Sequence, residues 1–175
     1  MNEHIEILIT EEELNKRVVE IANEITKDFG DEELTLVCVL KGGVMFMTDV
    51  AKRLKQKVEF EFIDVSSYGN ETVSSGKLTL NKDIDGCIEG KNVVLLEDIV
   101  DTGRTLNYLM EYLKSKNPKT LKLCTLLDKP SRRIVDVNAD YIGFTIPDAF
   151  IVGYGLDYAQ KYRNLPYIGI LHFEE

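Results

Sequence analysis

An α/β fold built on a mostly parallel sheet with flanking helices is what this 175-residue sequence predicts. Apolar, β-branched runs alternate along the chain with stretches of helical periodicity, the grammar of strand-helix-strand units. Glycine-marked turns join the strands to the helices. The hydrophobic content of 44% supports one real core, while the length is short for two.

Thr10 and Glu13 form a capping-box pattern, and Leu14, Val18, Ile21 and Ile25 then recur at helical spacing until Phe29-Gly30, which predicts a helix over 11–29. LTLVCVL (34–40) is apolar throughout, as expected of a strand covered on both faces; Lys41-Gly42-Gly43 turns it into the helical VMFMTDVAKRLK (44–55). VEFEFIDV (58–65) is a further strand. SSYGNETVSSG (66–76) is polar and without apolar periodicity, either a mobile loop or a long hairpin tip. NVVLLED (92–98) precedes a helix from about 103 to 116, and TLKLCTLL (120–127) follows Asn117-Pro118. After residue 128 the rhythm decays into DYIGFTIP, AFIVGYG and DYAQKYRNLPYIGIL, read as an appended hood. The expectation is one domain over 1–175, with a core at about 10–128 and a hood formed from the N-terminus and about 129–175.

Thirty acidic against 21 basic residues give a net charge of −9, and no Lys/Arg stripe interrupts that balance. Such a chain lacks a nucleic-acid footprint, and its expected partner is small. Cys38, Cys87 and Cys124 are odd in number and widely spaced, and they read as free thiols of the cytoplasm. The acidic MNEHIEILITEEE has no signal-peptide pattern, and no apolar run reaches membrane-spanning length, so no membrane partner is expected.

Several motif-like stretches fail on spacing. Gly103-Arg104-Thr105 resembles the end of a Walker A loop, but Asp98 stands where its first glycine belongs. Gly153-Tyr154-Gly155 begins like a dinucleotide fingerprint, yet Tyr158 occupies the third glycine's place. Asn81-x-Asp83-x-Asp85-Gly86 imitates a calcium loop with Asn92 at the position of its bidentate glutamate. His4 and His172 lie at opposite ends of the chain and read as structural or surface residues.

VVLLEDIVDTGRTL (93–106) stands apart: Glu97, Asp98 and Asp101 crowd the mouth of an apolar strand. Buried unpaired carboxylates are costly unless a ligand or partner compensates them. If 93–98 is a parallel strand, its carboxyl end is where open α/β sheets bind ligands, and Thr102-Gly103 opens a helix whose free amides suit a phosphate. Carboxylates accept hydrogen bonds from sugar hydroxyls, so the acids beside an anion-binding turn fit a ribose phosphate. The same acids also fit solvated strand-end residues with Asp101 as an N-cap, and spacing alone does not choose.

This stretch resembles the 5-phosphoribosyl-1-pyrophosphate signature of type I phosphoribosyltransferases: an aliphatic run, two acids, two aliphatics, then Asp-Thr-Gly-Arg/Lys-Thr. Around it, LKGG (40–43), Ser67-Tyr68, Lys129 and FIVGYGLDYAQKYRNLPYIGIL (150–171) are similar to the hypoxanthine-guanine branch, and the likeness spans 40–171. The resemblance implies the type I phosphoribosyltransferase fold and the conversion of hypoxanthine or guanine to IMP or GMP with release of pyrophosphate. It implies that Glu97 and Asp98 hold the ribose hydroxyls, that Asp101, Thr102, Gly103, Arg104 and Thr105 wrap the 5′-phosphate, and that Asp101 exchanges a proton with purine N7. Lys41, Gly42, Ser67, Tyr68 and Arg163 would face pyrophosphate, with an unusual, often cis, peptide at Lys41-Gly42. Lys129 would donate to the purine 6-oxo group, Phe150 stack on the base, and Ile151 and Asp157 complete the purine side.

Magnesium is the implied cofactor, with Glu97, Asp98 and Asp157 as its ligands. A lid over 66–76 would exclude water from the reacting centre. A homodimer or homotetramer is the implied assembly. Arg104 stands where many family members carry lysine, and only about nine residues precede the first helix to join the hood, so that hood is expected to be small. Two other readings share the signature: an RNA-binding regulator on the same fold, which the acidic surface opposes, and a transferase for another base such as xanthine, orotate, uracil or adenine, separable by base competition.

Overall fold

Alternation along the strands sets the layers. Strand β2 (Leu34–Val39) is buried along its whole length, and its side chains divide by parity: Leu36 and Cys38 join one apolar cluster, Val37 and Val39 the other. The computed structural model describes residues 3–67 and 78–173. Helix α1 (Glu11–Phe29) starts at the capping box, with Thr10 accepting from the Glu13 amide. It lies on the first face, beside α2 (Val44–Ala51), through Leu14, Val18, Ile21 and Ile25. Helix α3 (Arg104–Lys114) covers the second face through Leu106, Leu109 and Leu113.

Between the helical layers runs a six-stranded sheet in the order β4-β3-β2-β5-β6-β7. Its strands are β3 (Val58–Ser67), β4 (Leu78–Lys82), β5 (Asn92–Val100), β6 (Thr120–Asp128) and β7 (Tyr141–Thr145), with β2 inside. All neighbours are parallel except the β3-β4 pair, which is antiparallel. The parallel strands step from β2 out to β3, and the chain then returns past β2 to β5. Sheet order therefore reverses between β2 and β5, and a crevice opens at their carboxyl ends, where the Gly42-Gly43 turn and the acids are carried.

Strand β1 (Glu3–Ile9) pairs antiparallel with β9 (Ile168–Phe173), which also pairs with β8 (Ile151–Val152), making a small sheet of order β1-β9-β8. Ile151, Tyr154, Leu156 and Ile168 share the apolar cluster of α1 and α2, so this sheet has no core of its own. The Tyr154 hydroxyl donates to Asp49 of α2 at 2.6 Å.

Some elements differ from the sequence expectation. Tyr141–Thr145 belongs to the large sheet, so the core runs past residue 128; the strand is short, and Gly143, whose absent Cβ would meet the Leu126 carbonyl at 2.3 Å, hides its periodicity. The acidic Glu3–Ile9 stretch is a strand because it is an edge, where charged residues are solvated. Helix α2 ends at Ala51, short of residue 55, and a looser turn follows through Arg53 and Leu54 amides on the Val50 carbonyl. His4 and His172 are cross-strand partners in β1 and β9, with His172 also against Glu6. Segment 66–76 begins on the β3 arm of a hairpin; its residues past Ser67 lie outside the described residues. Among the described residues no helix is long and apolar enough to cross a membrane.

Phe46 of α2 is fully buried beneath the β2-β5 crevice. Phe46→Ala is expected to cost roughly 3–5 kcal/mol in a urea melt, because it removes a large ring from a site that the sheet cannot collapse to fill.

Candidate active site

The β2 turn packs directly on the acids of β5. A Cβ on Gly42 would lie 1.6 Å from Asp98 Oδ2, and one on Gly155, at φ +105°, would lie 2.1 Å from the Gly42 carbonyl oxygen. Only glycine permits both approaches. The cis peptide of this turn joins Leu40 to Lys41, one residue before the Lys41-Gly42 position expected from the sequence.

Glu97 is buried, at 8% exposure, and Asp98 beside it is partly buried. The Asp98 amide donates to Glu97 Oε1 at 3.1 Å. Burial holds the Glu97 carboxyl well above the ordinary range, and the neighbouring Asp98 charge pushes it further. Burial raises Asp98 too, opposed by its hydrogen bonds to Glu97 and the Ile99 amide and by the Arg163 charge, so Glu97 is the member that keeps a proton longer. Cys38 feels the same locus: burial, then Glu97 and Asp98, push its thiol up to about 12.

Beyond Val100 the chain passes through Asp101 and Thr102 to Gly103, whose φ of +83° places it at the α3 N-cap without any side-chain cap. Gly103 offers no side chain to cap the helix, and the Arg104 amide donates to Thr102 Oγ1 at 3.5 Å. First-turn amides therefore face a cavity of about 170 Å³ lined by Glu97, Asp98, Asp101, Thr102, Gly103 and Thr105. Acids stand at one side of it and the positive end of a helix dipole at the other, a polarity suited to a sugar phosphate.

Arg133, which the sequence reading missed, braces this turn. It donates Nε to the Asp101 carbonyl at 3.1 Å and Nη1 to the Val137 carbonyl at 2.9 Å, and it pairs with Asp128. Ile134 and Val135 amides donate to the Thr102 carbonyl. The only available signal was the Arg132-Arg133 doublet following Lys129.

Lys129 is 6% exposed, which overturns the default expectation of a surface lysine, and its Nζ donates to the Ala149 carbonyl at 2.9 Å. Its amide donates to the Val100 carbonyl, so it sits beside the end of β5. Phe150 is half exposed, edge-to-face with Tyr158 and Phe173 at centroid distances of 5.6 and 6.4 Å. The Ile151 side chain is buried, and β8 is the edge strand of its sheet, leaving one backbone edge unpaired within that sheet.

Arg163 donates Nη1 to the Gly155 carbonyl at 2.7 Å and Nη2 meets Asp157 Oδ1 at 2.8 Å, while its buried Nε has no hydrogen-bond partner. Asp157 also accepts from the Gln160 amide, and Lys41 Nζ donates to Gln160 Oε1 at 3.3 Å. The arginine, the acid and the lysine are thus brought together around the Gly42-Gly155 contact. The Asp157 carboxylate is paired with Arg163, and among the described residues no cluster of three ligating side chains gathers Asp157 with Glu97 and Asp98. Ser67 ends β3, and Tyr68 lies outside the described residues.

A mostly parallel sheet whose switch point carries buried acids beside the start of a helix places the chain in the class of α/β proteins that bind ligands at the carboxyl ends of their strands. The chain belongs to the phosphoribosyltransferase family, its residues 5–159 matching the model described as the phosphoribosyl transferase domain. It is 51% identical over 165 residues to a hypoxanthine-guanine phosphoribosyltransferase of Bacillus subtilis, a match covering 94% of this chain and 92% of the relative. A hypoxanthine phosphoribosyltransferase of Haemophilus influenzae is 45% identical, with 98% of each chain covered. Among solved structures, a hypoxanthine-guanine phosphoribosyltransferase from Bacillus anthracis superposes with a TM-score of 0.92 at 48% identity, covering 98% of this chain and all of that one.

Because Glu97 holds its proton more tightly folded than unfolded, its contribution to stability is complete below about pH 4.3 and is lost as pH rises through the folded value. Glu97→Gln, which stays neutral, is expected to melt higher than wild type at pH 7.5 in chelator by a few degrees, ~1 kcal/mol being worth roughly 2–4 °C at this size. Calorimetry at pH 4 should show that gap closing.

Proposed function

We propose that this protein transfers the phosphoribosyl group of 5-phosphoribosyl 1-pyrophosphate to hypoxanthine or guanine, giving IMP or GMP and pyrophosphate. The observation that carries the reading is the cavity at the end of β5, where buried acids and the uncapped α3 turn stand together with Lys129 adjoining. In it Glu97 and Asp98 accept hydrogen bonds from the ribose hydroxyls. The 5′-phosphate rests on the Thr102–Thr105 amides and hydroxyls, with Arg104 beside it.

The purine stacks on Phe150, and Lys129 donates to its 6-oxo oxygen. A 6-amino group cannot accept that bond, which selects oxopurines over adenine. Backbone groups of Ile151, with Asp157 nearby, complete the purine edge. As a ring nitrogen bonds to ribose C1, the C1–oxygen bond to pyrophosphate breaks with its electron pair leaving on pyrophosphate, and Asp101 accepts the proton released from N7. Lys41, the Gly42 backbone and Arg163 contact the leaving pyrophosphate. Segment 66–76, which leaves β3 at Ser67, serves as the lid that excludes water, with Ser67 and Tyr68 toward the pyrophosphate as the family likeness implies.

The pair Glu97-Asp98 suits magnesium: two adjacent buried carboxylates, each raised by burial and Glu97 further by its neighbour's charge, would be relieved by a hard cation. Held there, magnesium would supply charge neutralisation for the leaving pyrophosphate. We place the protein in the cytoplasm, in keeping with its three free cysteines, and as a homodimer or homotetramer by family likeness.

The reading is tested by mixing the protein with magnesium, 5-phosphoribosyl 1-pyrophosphate and hypoxanthine, guanine, xanthine or adenine and following nucleotide absorbance; activity confined to adenine, or none at all, would reject it. Asp101→Asn is expected to lower kcat by roughly 10²–10⁴ with little change in the KM for 5-phosphoribosyl 1-pyrophosphate. Retention of wild-type kcat would remove Asp101 from proton transfer.

A further inference from the structure

The turn after Lys129 carries a second arginine whose placement the reaction as written leaves unused. Arg132 Nε stands 3.4 Å from Asp101 Oδ1, and Arg132 Nη1 stands 3.8 Å from Asp148 Oδ1. Asp148 Oδ1 is in turn 3.6 Å from Lys129 Nζ. Four charges of alternating sign, Asp101, Arg132, Asp148 and Lys129, therefore run from the carboxylate assigned to N7 to the ammonium assigned to the 6-oxo oxygen.

Asp101 Oδ1 is buried and, among the described residues, has no hydrogen-bond partner, and the arginine's approach is a charge contact without hydrogen-bond alignment. An oxygen in that condition is restrained in direction while its acceptor capacity stays open for a ligand. Lys129, by contrast, is already anchored to the Ala149 carbonyl at 2.9 Å, so Asp148 biases an ammonium that is in place. The neighbouring Arg133 holds the backbone of Asp101 and leaves its carboxylate alone.

The geometry points to Arg132 as a positioning residue that fixes the Asp101 carboxylate directly and Lys129 through Asp148, so that the two ends of the purine are gripped at a set separation. The inference rests on the purine-transfer reading given above. Its chemical basis is the guanidinium, whose delocalised charge lies in one rigid plane with Nε toward Asp101 and Nη1 toward Asp148, where the ammonium of lysine is a single point charge on a flexible stem. Arg132 and Asp148 are each more than half exposed, so their pairing contributes little to folding; its effect is on orientation. Errors of orientation are expensive in the reacting complex, where a displacement of about 1 Å costs on the order of 10²-fold.

Steady-state rates with hypoxanthine and 5-phosphoribosyl 1-pyrophosphate, each with a thermal melt, are measured for wild type, Arg132→Gln, Arg132→Lys, Asp148→Asn and the Arg132→Gln/Asp148→Asn double variant. Absence of turnover by wild type would reject the purine-transfer reading itself, a result distinct from any difference among variants. Arg132→Gln is expected to lower kcat about tenfold or more while the KM for 5-phosphoribosyl 1-pyrophosphate stays within about twofold and the melting temperature is unchanged. Arg132→Lys should recover part of the loss. The double variant should be no slower than the slower single variant, since both substitutions break one chain of contacts. Wild-type kcat in Arg132→Gln, losses that multiply in the double variant, or a fall in kcat matched by a fall in melting temperature would each overturn the assignment.

Discussion

The contact on which the rest of the molecule turns is the approach of the β2 turn to the β5 acids, made possible by a missing side chain. Gly42 leaves the space that Asp98 Oδ2 fills, and Gly155 leaves the space that the Gly42 carbonyl fills. These approaches stack three separate chain segments at the switch point of the sheet, with no side chain interposed. The small sheet is fastened there as well, because Arg163 ties the Gly155 carbonyl to Asp157. A backbone so placed can meet a polyanion through its amides, while the acid directly behind it remains available to hydroxyls.

That arrangement has an electrostatic consequence. Glu97 and Asp98 are adjacent along β5 and buried together, and the Arg163 charge partly offsets Asp98. The strand's carboxyl end is therefore less favourable for the empty protein than an apolar terminus would be, a cost against which the binding of a sugar and a cation in the proposed function would be set. Stability sacrificed at a functional site in this way is a recurrent feature of enzymes. It also adds to the burial that keeps Cys38 a neutral thiol, since its thiolate would add a third negative charge to the same locus.

Much of the fold was legible because its core elements carry strong periodicity. Helix α1 begins at Thr10 and ends at Gly30 as the capping box and glycine indicate, and β2 is buried on both faces as its unbroken apolar run requires. The elements that escaped are short or sit on edges: β1 is acidic because an edge strand is solvated, and β7 is interrupted by a glycine that the Leu126 carbonyl demands. At the site, Glu97, Asp98 and the 101–105 turn were legible since they lie in one contiguous stretch. Arg133 was not, because its partners, the Asp101 carbonyl and Asp128, are backbone and side-chain groups that only tertiary structure brings within reach. The pairing of Asp157 with Arg163 was likewise not legible, since only the fold brings the acid and the arginine within 2.8 Å.

The order of strands in the sheet reproduces the order of parts in the proposed transition state. Neighbouring β2, β5 and β6 end respectively in the Gly42-Gly43 turn, in the acids with the Thr102–Thr105 amides, and in Lys129. Adjacent strands are about 4.8 Å apart, so three carboxyl ends span roughly 10 Å, a distance commensurate with leaving group, ribose and base laid side by side. Rigid hydrogen-bonded ladders fix that spacing, whereas loops alone would let each contact drift. In the proposed reading the β3-β4 pair flanks the β2 end of this row as cover, and the alignment of the reacting atoms is left to the sheet.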